Sequence, residues 1–215
     1  APAAAASAAP PPAAAPATEG GAARVGPPPG AAGTENLSKT SQLLEALDWA
    51  AQQNARKDGP LYGRVDATNA AAMGTSCGGL QAIEIGSNPR VKTVVAWSSG
   101  TLDYARAGAN VTRADLQKLR GPILYVLGGS NDMATPFGVK DYEVIDKVPV
   151  VVATNEGAGH GGPLAKENGG NWAPVGVAWL DWQLKGQRAA GRMFKGEQCG
   201  LCKDPAWKLQ KKHLD

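Results

Sequence analysis

Two runs of the chain are apolar at nearly every position: Pro-Ile-Leu-Tyr-Val-Leu at residues 122–127 and Val-Pro-Val-Val-Val-Ala at 148–153. A strand of this kind has no face to offer water, so both of its sides must be covered by other elements. Two further apolar runs lie upstream. Residues 66–73 form a short one that ends in Gly74, and residues 91–97 (Val-Lys-Thr-Val-Val-Ala-Trp) form another, closed by Ser98-Ser99-Gly100. Between the runs the apolar spacing changes to that of a helix. Leu43, Leu44, Leu47 and Ala51 mark a helix over 40–57, opened by Thr40 or Ser41 and stopped by Asp58-Gly59-Pro60. Shorter helices are expected at 80–85, 115–119 and 139–145, and a long one at 175–184 carries Val177, Trp179, Leu180, Trp182 and Leu184. Strands alternating with helices predict an α/β fold, a mostly parallel sheet with helices on both faces.

Composition limits what else the chain can be. Sixteen of the first 20 residues are Ala or Pro, and eight of the 16 prolines lie at or before Pro29. Such a segment has no large side chain to bury and cannot repay its ordering entropy. Residues 1–36 are therefore read as low-complexity and disordered, and 37–215 as one catalytic-type domain with a C-terminal tail from about 195. Outside the head no run of about 18 unbroken apolar residues exists, so no membrane span is expected. The net charge is only +3 and the basic residues are scattered except at Lys208, Lys211 and Lys212. Nucleic-acid binding calls for a concentrated basic stripe. A start of Ala-Pro-Ala-Ala reads as the product of a signal-peptidase cut, and a secreted or periplasmic location is expected.

In a parallel α/β sheet, ligands gather where loops leave the carboxyl ends of the strands. Three such loops are unusual. Gly74-Thr75-Ser76-Cys77-Gly78-Gly79 follows one strand and opens a helix, so it is G-x-S-x-G in a strand–turn–helix setting. That setting exposes the Ser76 hydroxyl beside a helix N-terminus, whereas the plainer reading is a Gly/Ser turn. Glu156-Gly157-Ala158-Gly159-His160-Gly161-Gly162 follows the last strand and holds one of only two histidines. The other, His213, sits in the Lys-rich tail and reads as solvated. Serine needs a base of near-neutral pKa, and imidazole is the usual one; His160 is otherwise a surface-loop residue. Gly129-Ser130-Asn131-Asp132 follows the 123–127 strand, and Asp132 can orient an imidazole or cap the next helix. Asp103 is the reserve, and Asp141 lies too far into the next helix.

Ser, Asp, His in that order, each just past a strand, resembles the α/β-hydrolase superfamily. Within it the chain is similar to exported esterases related to dienelactone hydrolases, chlorophyllases and polyester-degrading cutinases, over about residues 37–184. The resemblance implies that Ser76 is the nucleophile, His160 the base, Asp132 the orienting acid and the Cys77 N–H one oxyanion donor. It implies hydrolysis of a carboxylic ester, small or polymeric, with aromatic esters and polyesters as the candidate classes, through an acyl-enzyme, with no metal or organic cofactor. The alternative is a non-catalytic binding module on the same fold.

The chain departs from that pattern at its start. About 65 residues precede the serine strand, roughly half of them low-complexity, which leaves the fold N-terminally incomplete and the loop for a second oxyanion donor without a counterpart. Three explanations are open: a second chain supplies the strands, the sequence is incomplete, or activity is lost. The loop-like Val25-Gly26-Pro27-Pro28-Pro29-Gly30 favours incompleteness. The strand at 67–73 is then expected to present a bare apolar edge. Near the other end, Cys199 and Cys202 form a C-x-x-C pair after the closing helix, read as a local disulfide or two free thiols. Trp172, Trp179, Trp182 and Trp207 are assigned to packing.

Overall fold

The computed structural model describes residues 38–104 and 108–214. The low-complexity segment and its 25–30 loop lie outside the described residues. Five strands form one sheet in the order β1 (Ala70–Thr75), β2 (Val91–Trp97), β3 (Ile123–Leu127), β4 (Val150–Asn155) and β5 (Trp207–Lys212). The first four run parallel, and β5 is antiparallel to β4. The helices are α1 (Thr40–Ala55), α2 (Cys77–Ile85), α3 (Thr135–Val144), α4 (Ala173–Lys185), α5 (Arg188–Gly191) and α6 (Gly200–Lys203). The helix expected at 115–119 is a 3-10 turn, Arg113–Lys118, opened by a reciprocal Thr112–Asp115 cap.

The apolar runs alternate between two cores. On one face Val94, Ala96, Ile123, Tyr125, Val150 and Val152 pack with α2 residues such as Ile83, and with Leu43 and Leu44 of α1 and Val139 of α3. On the other, Val95, Trp97, Leu124, Val126 and Val151 pack with Val175 and Trp179 of α4, Phe194 and Leu201. Covering both faces is what the unbroken apolar strands require. The second core is aromatic: Trp97 stacks on Trp172 at 6.0 Å, and Trp179 meets Phe194 edge-on at 5.2 Å. Buried indole N–H groups need partners. Trp179 Nε1 donates to Thr93 Oγ1 at 2.8 Å, and Trp172 Nε1 donates to Asn155 Oδ1 at 3.1 Å. Val177 departs from the expected apolar stripe and is 57% exposed. It lies about 200° around the helix from Val175, which takes it off the buried side.

The segment after residue 195 is more than a tail, which corrects that reading. Trp-Lys-Leu-Gln-Lys-Lys alternates, so Trp207 is buried and Leu209 half-buried while Lys208 and Gln210 face out as β5. Its lysine content hid a period-2 strand, and lysine is a common guard of sheet edges. The Tyr142 hydroxyl of α3 donates to the Lys211 carbonyl at 3.1 Å. Cys199 and Cys202 are joined as a disulfide. At the far end β1 pairs with β2 alone among the described residues, and Met73 is 42% exposed. No helix among the described residues is long and apolar enough to cross a membrane.

Candidate active site

Four parallel strands bring four loops to one end of the sheet. After β1 the chain turns sharply into α2, and Ser76 sits at the turn with φ 54° and ψ −118°. That region is costly for any residue with a Cβ, and such strain clusters at functional sites. The turn is possible because Gly74 approaches α2 closely: a Cβ there would lie 2.1 Å from the Gly78 carbonyl oxygen. Ser76 N–H donates to the Trp97 carbonyl at 2.9 Å, and Ser99 Oγ donates to the Ser76 carbonyl at 2.9 Å. The two bonds pin the serine's main chain to the last residue of β2 and to the loop after it. Cys77 is the first residue of α2, where N–H groups lack helical acceptors. Its thiol is free and exposed.

Asp132 and His160 come from the loops after β3 and β4. His160 Nε2 lies 2.9 Å from Ser76 Oγ, and Nδ1 lies 2.7 Å from Asp132 Oδ1. Asp132 is fully buried at its side chain and also accepts from the N–H groups of Gly128 (3.0 Å) and Ala134 (2.9 Å). Burial pushes its carboxyl up, but His160, those two amides and the Ser98 hydroxyl outweigh burial and hold it below its ordinary value. An ionised carboxylate only accepts, so Nδ1 carries the proton and Nε2 presents its lone pair to the Ser76 hydroxyl. Of the two readings of Asp132, the structure gives the imidazole partner: α3 starts at Thr135 with Ala134 as its N-cap and no side-chain cap, and the Asp132 carboxylate bonds the loop ahead of it. The reserve Asp103 is 81% exposed and paired with Arg113. His213 is exposed near the end of β5, as expected for a solvated residue.

The two loops that meet at His160 touch through glycine. Gly159 N–H donates to the Gly128 carbonyl at 2.9 Å, and a Cβ on Gly128 would sit 1.9 Å from the Gly159 oxygen. Gly128→Ala is therefore expected to force the loops apart and to destabilise the fold by about 1–3 kcal/mol, as other overpacked sites do. Urea unfolding measures this, and an unchanged midpoint would mean the contact is slack.

Sequence reading passed over the loop after β2. Ser98 and Ser99 are buried, and their hydroxyls bind the His160 loop and the Ser76 carbonyl respectively. Ser-Ser-Gly gave only a strand stop, and the one available signal was two hydroxyls at a strand's carboxyl end. Asp141, set aside as too deep in α3, is fully buried beneath the same loop. It accepts from Thr101 N–H at 2.7 Å, Thr101 Oγ1 at 2.5 Å and the Tyr125 hydroxyl at 3.1 Å, with Arg113 Nε 3.6 Å away. Burial raises its pKa to about 6 against the opposing pull of those donors. A raised acid favours the fold while protonated, so that contribution is whole below about pH 4 and lost as pH rises through about 6. Between pH 4 and 6.5 the wild type should lose stability relative to Asp141→Asn, on the order of 3 kcal/mol for a two-unit shift. Denaturant unfolding at both pH values reads the difference, and parallel pH dependences would contradict it.

Ser76, Cys77, Leu80, Ser98, Ser99, Gly100, Leu102, Tyr104, Met133, Ala134, Phe137 and His160 line a cleft of about 170 Å³. Its walls are mainly apolar, and Tyr104 and Met133 at its rim are 59% and 76% exposed. Among the described residues no group of three or more His, Cys, Asp or Glu is arranged to hold a metal ion.

Comparison with curated proteins gives no match. The family model described as PET hydrolase-like matches residues 33–182, more than half of the chain, and spans the turn at Ser76, the Asp132 loop and the His160 loop. With its mostly parallel sheet covered on both faces, the chain belongs to the PET hydrolase-like family, α/β-hydrolases that cleave ester bonds.

Proposed function

We propose that the protein is a serine hydrolase that cleaves carboxylic esters through an acyl-enzyme. The observation that carries this reading is the unbroken hydrogen-bond relay from Ser76 Oγ through the His160 ring to Asp132. Ser76 Oγ attacks the ester carbonyl carbon as its proton passes to His160 Nε2, and the carbonyl oxygen becomes an oxyanion. The Cys77 N–H at the start of α2 is one donor for that charge. The tetrahedral species collapses, the C–O bond to the alcohol breaks, and His160 returns the proton to the departing alkoxide. Water then repeats the sequence on the acyl-serine, with His160 as base, and releases the acid. Asp132 stays ionised, keeps Nδ1–H oriented and stabilises the transient imidazolium. The chemistry needs no metal or organic cofactor.

Polyester or aromatic ester is the favoured substrate class. Tyr104 and Met133 place apolar surface in water at the rim, which suits an insoluble hydrophobic chain better than a small polar ester. Secretion or a periplasmic location belongs to the same reading, and the Cys199–Cys202 disulfide supports an oxidising compartment. A fluorophosphonate probe is expected to label one site, mapped to Ser76 by peptide mass, and to stop release of p-nitrophenol from short acyl esters. Labelling elsewhere, or hydrolysis that continues after stoichiometric labelling, would overturn the assignment.

A further inference from the structure

Ser98 immediately follows β2, is fully buried, and has φ 41°, a left-handed conformation in a residue with a Cβ. Glycine adopts such an angle freely, so a serine there calls for a compensating side-chain role. Its hydroxyl oxygen accepts from Gly161 N–H at 2.8 Å, and the hydroxyl is near enough to the Asp132 carboxylate to favour its charged form. Gly161 directly follows His160, so one oxygen joins the loop after β2 to the loop after β4.

We propose that Ser98 is a positioning residue, its hydroxyl clamping the His160 loop to the end of β2 beside the carboxylate that orients the imidazole. Without it the Gly161 N–H loses its acceptor. The His160 ring then keeps its bonds to Asp132 and Ser76, and its loop keeps the Gly159 bond to the Gly128 carbonyl on the residue before but has lost the anchor on the residue after. Geometry this tight governs rate, since small misplacements in a relay are costly. Ser98 acts through Asp132 and His160, so its loss should appear in kcat rather than in KM.

This inference rests on the serine-hydrolase reading, and the test separates the two. Ser98→Gly removes the hydroxyl while relieving the backbone, and Ser98→Ala removes the hydroxyl alone. Both are expected to lower kcat about 10- to 100-fold with KM within about twofold, in line with a modest misplacement. Ser98→Gly should melt at or above the wild-type temperature, which removes unfolding as the cause. The downfield proton resonance of His160 Nδ1–H should move and broaden in both variants, a readout that needs no turnover. Wild-type kcat in Ser98→Gly together with an unmoved resonance would overturn the clamp. If Ser76→Ala retains activity, the hydrolase reading fails, and the resonance alone then decides whether Ser98 holds the pair.

Discussion

Ser76→Ala should reduce ester hydrolysis by about 10⁴- to 10⁶-fold, the range in which removing the nucleophile of such a relay falls. The methyl group fits where the hydroxymethyl stood, and the strained turn at φ 54° persists because Gly74 and the Trp97 and Ser99 contacts hold it. The loss is therefore chemical. No oxygen remains to carry the acyl group, and the Cys77 N–H is left to polarise a carbonyl that only water can attack. Cys77→Ala is the paired control. Its thiol is exposed and its proposed part is played by the backbone, so that variant should keep most of the activity. Initial rates on p-nitrophenyl butyrate read both. Full activity in Ser76→Ala with loss in Cys77→Ala would make the thiol the nucleophile.

Asp132→Asn should cost about 10⁴-fold in kcat while leaving the fold intact, as in other relays where the acid is made neutral. With its oxygen at the Oδ2 place the amide still accepts from Gly128 N–H, while Ala134 N–H, which meets Oδ1, loses its acceptor, a local loss the rest of the loop after β3 can absorb. The amide nitrogen then turns to His160. It can only donate, which forces Nδ1 to accept and moves the ring proton to Nε2, where it faces Ser76 Oγ. A protonated Nε2 cannot take the serine's proton. Circular dichroism and a melting curve check the fold, and kcat above a tenth of wild type would remove Asp132 from the relay. Its reserve is already poorly placed, since Asp103 is 81% exposed and tied to Arg113.

How much of this was legible in the sequence follows the physics of each signal. The strands were readable because 123–127 and 150–153 are buried on both faces and so carry no polar interruption. The cluster of Ser76, Asp132 and His160 was readable because each sits in a glycine-rich loop just past a parallel strand, where position in the fold follows from position in the chain. β5 was hidden because an edge strand with lysines facing water resembles a solvated tail, and its pairing with β4 joins residues more than 50 positions apart. Ser98 and Asp141 were hidden for a different reason. Their importance lies in which atoms their oxygens reach, Gly161 N–H for one and Thr101 for the other, and no local pattern encodes a partner 40 or more residues away.

The loops carrying Asp132 and His160 meet main chain to main chain, Gly128 against Gly159, with no side chain between them. Tyr104 and Met133 stand at the cleft rim and donate to or accept from none of the three relay residues. On the proposed reading, relay alignment and the apolar rim thus rest on separate atoms. Substitution at 104 and 133 is then expected to change which ester surfaces the cleft accepts while the relay's hydrogen bonds stay as they are.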